Sequence, residues 1–151
     1  MNIDTRMFGE IEVEEDKIIH FEDGIIGYPD CKNFTLIFDE EKGNRKNICW
    51  LQSIDEPVFA LPVLDPLLIK EDYNPVVEDE FLHSLGELKE EDTFVLVTVT
   101  VPENIEEMSV NLKAPIVIHV DNRKACQIIV EEDYPVKYKI YELLKKRKAG
   151  E

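Results

Sequence analysis

The run Phe94-Val95-Leu96-Val97-Thr98-Val99-Thr100-Val101 constrains the fold more than any other part of this chain. Six of its eight residues are β-branched; such side chains are stiff at χ1 and fit a pleated surface better than a helix. Val95, Val97, Val99 and Val101 recur at period two, so they share one face of a strand. Pro102 ends it, because proline has no N–H for the ladder. A strand this long needs partners, and the rest of the sequence must supply a sheet.

Partners are legible on both sides. Ile48–Ser53 and Val58–Leu64 flank Ile54-Asp55-Glu56-Pro57, whose acids and proline suit a turn, and this reads as a hairpin. Ile116 to Val120 and Ala125 to Val130 form a second one across Asp121-Asn122, residue types that tolerate left-handed backbone. Shorter strands are predicted over Phe8 to Val13, Lys17 to Phe21 and Phe34 to Phe38. One internal helix is predicted over Asp79 to Leu85, capped by Asp79 and ended by Gly86. The expected fold is mainly β: a single antiparallel β-barrel-like domain over residues 1–135, with one or two short helices, or alternatively a sandwich. Residues 136–151 form a basic C-terminal tail. Alternation at Val136, Tyr138 and Ile140 favours extended chain to about Tyr141, then helix.

Charge narrows the choice of partner. The formal net charge is −16, from 33 acidic and 17 basic residues. From Val136 onward six bases face two acids, so the tail carries +4 and the body −20. Such a body repels phosphate backbones, which argues against direct nucleic-acid binding and for a basic partner. The longest apolar run, Val58–Leu64, is far short of the about 20 residues a bilayer demands. No membrane association is expected. Met1 to Thr5 shows neither a basic nor an apolar signal segment, and Cys31, Cys49 and Cys126 have no close pairing. The expected location is the cytoplasm.

Motifs for chemistry are sparse. His20, His83 and His119 form no local motif with the cysteines, and His119 is expected on the strand face opposite Ile116 and Ile118, solvent-facing or hydrogen-bonded. Cys-x-x-Cys, His-x-x-x-His and calcium-loop spacings do not occur. No catalytic residue, metal or cofactor is predicted. The alternative reading is a small cytoplasmic enzyme with a Cys-His or paired-carboxylate pocket. It requires a cavity uniting a histidine with Cys126 or with two carboxylates.

Gly24-Ile25-Ile26-Gly27 lacks the extra glycine, lysine and following helix of a phosphate loop. Its glycines are expected in conformations closed to other residues, with Ile25, Ile26 and Tyr28 displayed to a partner or plugged into the core. Glu71, Asp72 and Tyr73 form a second candidate surface, acidic and aromatic. No sequence feature says which partner either group touches.

At these residues the sequence resembles the flagellar assembly factor family, FliW. The resemblance runs from about Asp4 to Val130: Asp4-Thr5 and Gly9; Ile19-His20-Phe21 before Gly24-Ile25-Ile26-Gly27-Tyr28; Phe34; Leu51-Gln52-Ser53; Asp65-Pro66; and Asn111-Leu112-Lys113-Ala114-Pro115-Ile116-Val117-Ile118. The family loop usually reads Gly-Ile-Pro-Gly-Phe. Ile26 removes the fixed φ of that proline, whereas Tyr28 keeps an aromatic ring. The resemblance implies a regulator with two protein partners, flagellin and the RNA-binding translational repressor CsrA. When flagellin is exported, the freed regulator binds CsrA and lifts its block on flagellin translation. A general acidic secretion chaperone, binding flagellin but ignoring CsrA, is a third reading.

Overall fold

The computed structural model describes residues 2–6, 8–37, 48–75, 93–120 and 122–143. Its strands are β1 (Asn2–Thr5), β2 (Gly9–Glu12), β3 (Ile19–Phe21), β4 (Asn33–Ile37), β5 (Ile48–Ser53), β6 (Ala60–Leu64), β7 (Thr93–Thr100), β8 (Ser109–Val110), β9 (Ile116–His119), β10 (Lys124–Gln127) and β11 (Tyr138–Lys139). Seven of them close on themselves in the order β3-β4-β5-β6-β7-β9-β10 and back to β3. The expected β-barrel is therefore the observed one. Its closing pair is parallel, however: β10 runs alongside β3, with Lys124 opposite His20 and Ala125 opposite Phe21. Short hairpins produce antiparallel neighbours, whereas β3 and β10 are joined only through the whole intervening chain, which leaves their relative direction free.

Period-two alternation sorts the side chains. Ile19 and Phe21, Phe34, Cys49 and Leu51, Val63, Leu96, Ile116 and Ile118, and Ala125 point inward and form the barrel core. Ile48, Leu64, Val97 and Val99 point the other way, into a second core with Ile69, Tyr73, Met108, Val110, Leu112 and Ile140. This second layer explains why β7 reads as an almost unbroken apolar run, since Leu96 fills the barrel while Val97 and Val99 fill the layer outside it. Val101 lies beyond the strand and is exposed. His119 does face away from Ile116 and Ile118, and of the two expected outcomes it takes the hydrogen-bonded one: it is buried, and its Nδ1 accepts the Asn122 amide at 3.4 Å. That outer face carries its own cluster, Val117 and Ile128 with Val95 and Cys126 against it.

The hairpin β9–β10 is present, but β10 stops at Gln127, and among the described residues of its turn Arg123 is left-handed (φ 59°). Asn122 instead accepts the Lys124 amide on its side-chain oxygen at 2.9 Å. Strands β1 and β8 were not predicted, whereas β11 falls within the extended stretch expected up to about Tyr141. β1 and β2 form a separate hairpin whose Thr5 hydroxyl donates to the Gly9 carbonyl (2.8 Å) and accepts the Phe8 amide (2.9 Å).

The predicted helix at 79–85 lies outside the described residues. Within them, helical structure consists of 3₁₀ turns at Glu15–Lys17, Pro66–Leu68 and Ile105–Glu107 and a helical turn at 141–143. At the second of these, Asp65 accepts the Leu67 amide at 2.9 Å and Pro66 takes the first position, where a missing N–H costs nothing. No helix among the described residues is long and apolar enough to cross a membrane. The basic C-terminal segment begins inside the fold: Tyr138 and Lys139 pair with β8, and Ile140 is fully buried in the second core.

Candidate functional site

The loop between β3 and β4 is built by its glycines. Gly24 has φ +71°, and a Cβ there would lie 2.5 Å from the Pro29 carbonyl oxygen. Ile25 and Tyr28 then form an isolated antiparallel bridge, with the Tyr28 amide donating to Ile25 at 2.7 Å and the Ile25 amide to Tyr28 at 3.2 Å. Gly27 has φ +89°, whereas Ile26 keeps a negative φ, the sign pattern of a type II turn. Proline suits the position of Ile26 in such a turn. Here the isoleucine offers an N–H that proline lacks, and it donates to Oε1 of Gln127 at 2.9 Å. The same Gln127 amide donates from Nε2 to the Ala114 carbonyl at 3.1 Å.

The three displayed residues separate. Ile25 is plugged into the barrel core at 4% exposure, while Ile26 (49%) and Tyr28 (50%) face outward. The Tyr28 ring lies on Phe59 at 4.3 Å, Phe59 meets Phe34 at 6.2 Å, and Phe34 meets Phe21 at 5.3 Å. Tyr28 is thus the exposed end of an aromatic ladder rooted in the core. The turn that carries Phe59 is held by Leu51-Gln52-Ser53: Leu51 is core, Gln52 Nε2 reaches the carbonyls of Ser53, Pro57 and Phe59 at 2.9 to 3.2 Å, and Ser53 Oγ accepts the Glu56 amide at 2.9 Å.

The rim is polar. Asp55 accepts the amides of Lys32 and Asn33, both at 2.8 Å, and the Asn33 side chain at 3.2 Å. Burial alone would push its carboxyl up, but these donors, with the nearby His20, hold it below the usual carboxylate value. Asn33 Oδ1 lies 2.9 Å from His20 Nδ1; an amide oxygen only accepts, so Nδ1 carries the proton.

The second candidate group divides in the same way. Glu71 and Asp72 are exposed, with Asp72 3.1 Å from Lys70, an ion pair that lowers the aspartate and raises the lysine. Tyr73 is not displayed. It is 5% exposed, packs edge-on to Tyr134 at 4.7 Å, and donates its hydroxyl to the Leu112 carbonyl at 2.7 Å. Burial, with Tyr134 and Glu132 nearby, pushes its phenol up. Asn111 folds the intervening segment by accepting the Lys113 and Ala114 amides at 3.0 and 3.1 Å. Leu112 to Ala114 therefore links the two candidate groups, bonded to Tyr73 at one end and through Gln127 to Ile26 at the other.

Among the described residues, a recess of about 750 Å³ is lined by apolar side chains with Lys17, Thr35, His119, Arg123 and the exposed Glu12, Glu14 and Asp16, and a smaller one by His20, Glu22, Lys124 and Ala125. Neither lining includes a cysteine. Cys126 and Cys49 are both pushed up to about 11 by burial, with Asp23 adding to the first, which keeps both thiols protonated and poorly nucleophilic. No group of three metal-ligating side chains occurs among the described residues.

Sequence reasoning missed Gln127, Phe59 and the His20–Asn33–Asp55 group. Their partners are 101, 31 and 22 or fewer positions away, so no local spacing exposes them. For Gln127 alone there was a weak signal, an amide side chain on a short apolar strand.

Fold and surface define a small closed β-barrel whose distinguishing feature is an anchored, glycine-hinged loop bearing apolar side chains. The model of the FliW protein family matches residues 2–140 of the chain, which belongs to this family of flagellar assembly factors. It is 49% identical over 152 residues to the flagellar assembly factor FliW of Lachnoclostridium phytofermentans, covering 100% of this chain and 97% of the relative. To the FliW of Thermotoga neapolitana it is 39% identical over 143 residues, covering 93% and 94%. A crystal structure of the flagellar assembly factor FliW superposes with a TM-score of 0.84 at 30% identity, covering 93% of this chain and 97% of the other. The family match takes in β11 and Ile140, beyond the end of the motifs visible in the sequence.

Proposed function

We propose that this chain acts in the cytoplasm as a protein-binding regulator of flagellin synthesis, without catalysis of its own. It binds a CsrA-type RNA-binding regulator and relieves repression of flagellin translation, and it binds flagellin as the alternative, chaperone-like partner. The observation that carries this reading is the family match over residues 2–140. The charge supports it: a body of −20 docked on a basic RNA-binding protein adds repulsion toward phosphates without covering the RNA site. Cys49 is buried and Cys126 half-buried, and burial raises both thiols, which gives a Cys-His nucleophile no footing.

A competition titration of the purified chain with flagellin and with CsrA tests the proposal. Binding of both at micromolar concentration is expected, with the CsrA complex weakening as salt rises. Binding of flagellin alone would leave a general secretion chaperone, and binding of neither would refute the assignment.

A further inference from the structure

The outward side of the β3–β4 loop joins three exposed apolar residues, Ile26 (49%), Tyr28 (50%) and Val58 (60%), across the Tyr28–Phe59 contact. Single exposed apolar side chains are ordinary, but these sit on two turns tied together by the Asp55 hydrogen bonds to Lys32 and Asn33. The charge around them is mainly acidic. Segments 22–32 and 54–59 carry Glu22, Asp23, Asp30, Asp55 and Glu56, all exposed, against Lys32, with Arg6 bonded through its amide to Pro57 and Lys124 beside Glu22 at the margins.

We propose that this face docks an amphipathic, base-flanked segment of a partner protein, its apolar stripe on Ile26, Tyr28 and Val58 and its lysines or arginines on the acidic rim. The anchors are preorganised. The Tyr28 ring is braced through Phe59 and Phe34 to Phe21, and the Ile26 backbone is held by Gln127, so the ring and the turn lose little freedom on binding. An acidic rim repels nucleic acid and anionic membranes and selects a basic polypeptide. Gln127 is the positioning residue. It touches no partner, but its two hydrogen bonds seat Ile26 on the Ala114 backbone. This face gives the proposed protein binding a location and a chemistry of recognition.

The test uses the full chain and a synthetic Leu/Lys peptide of about 18 residues, some five helical turns with leucines on one face. Two controls replace the leucines by serine or the lysines by glutamate. The Leu/Lys peptide is expected to bind, with Ile26→Ser/Tyr28→Ser weakening it about tenfold or more and Asp23→Lys/Asp30→Lys removing most of its salt dependence. Ile26→Ser alone, at an exposed side chain, keeps the test open if loss of Tyr28 loosens Phe59, and circular dichroism checks each fold. Equal binding of the serine or glutamate control, or unchanged affinity of both apolar variants, overturns the proposal. The same variants titrated with flagellin and CsrA separate the two ideas. Tight binding of either protein, unaffected by the loop variants, sinks the docking face and leaves the proposed function standing.

Discussion

Replacing Gly24 by alanine sets two costs that Gly27→Ala divides. At Gly24 the new Cβ would stand 2.5 Å from the Pro29 carbonyl oxygen and 2.7 Å from its C and Cα, all backbone atoms that no rotamer change moves aside. At Gly27 nothing lies within 4 Å. Both glycines have φ well into the left-handed region, +71° and +89°, where an L-alanine costs about 1–2 kcal/mol. The steric term at Gly24 resembles overpacking, about 1–3 kcal/mol. Gly24→Ala should therefore destabilise by about 2–5 kcal/mol and Gly27→Ala by about 1–2. In a domain of this size each kcal/mol moves Tm by roughly 2–4 °C, so the two variants should melt several degrees apart. Urea unfolding with matched m-values gives the free energies directly. Equal destabilisation by the two substitutions would mean that the close approach of Pro29 has no energetic weight, and the account of the loop would fail.

Tyr73→Phe deletes the hydroxyl that donates to the Leu112 carbonyl and leaves a buried acceptor short of its partner; a loss of about 1–2 kcal/mol in urea unfolding is expected, and no loss would show that another donor serves Leu112. Asp55 has a folded-state pKa below its unfolded value of about 3.9, so its contribution is complete above that value and is lost as pH falls through the folded pKa. The stability gap between the parent and Asp55→Asn should accordingly shrink between about pH 7 and pH 3, and a gap that stays constant contradicts the assigned hydrogen bonds. With its pKa pushed to about 11 by burial, Cys49 should react with a thiol reagent at pH 8 only as fast as the chain opens, and a rate matching that of a free thiol would place it at the surface.

Much of the fold was legible because it follows from local geometry. Period-two alternation located β7 and β9, and the turn-forming residues 54–57 set off the apolar runs of β5 and β6. The two loop glycines announced left-handed backbone. Several motifs that carry the family resemblance prove to be turn formers: Thr5 with Gly9, Gln52 and Ser53 around the 54–59 turn, Asp65-Pro66, and Asn111. A side chain bonding to backbone two to seven residues away leaves a local trace in sequence.

The family, the β-rich class and the loop that carries Ile26 and Tyr28 were determined by sequence alone. Tertiary structure decided which side of each strand is covered. Alternation says that two faces differ, but not that a second layer buries the outer one, and so it left open whether His119 faces solvent or is hydrogen-bonded. Direction and closure were decided there too, since the parallel β3–β10 pair joins segments about a hundred residues apart. The fate of Ile25 and Ile26 turned on the same limit: two adjacent isoleucines are identical in composition and hydropathy. Packing against Phe21 and Phe34 buries one, and the distant Gln127 amide holds the other in solvent.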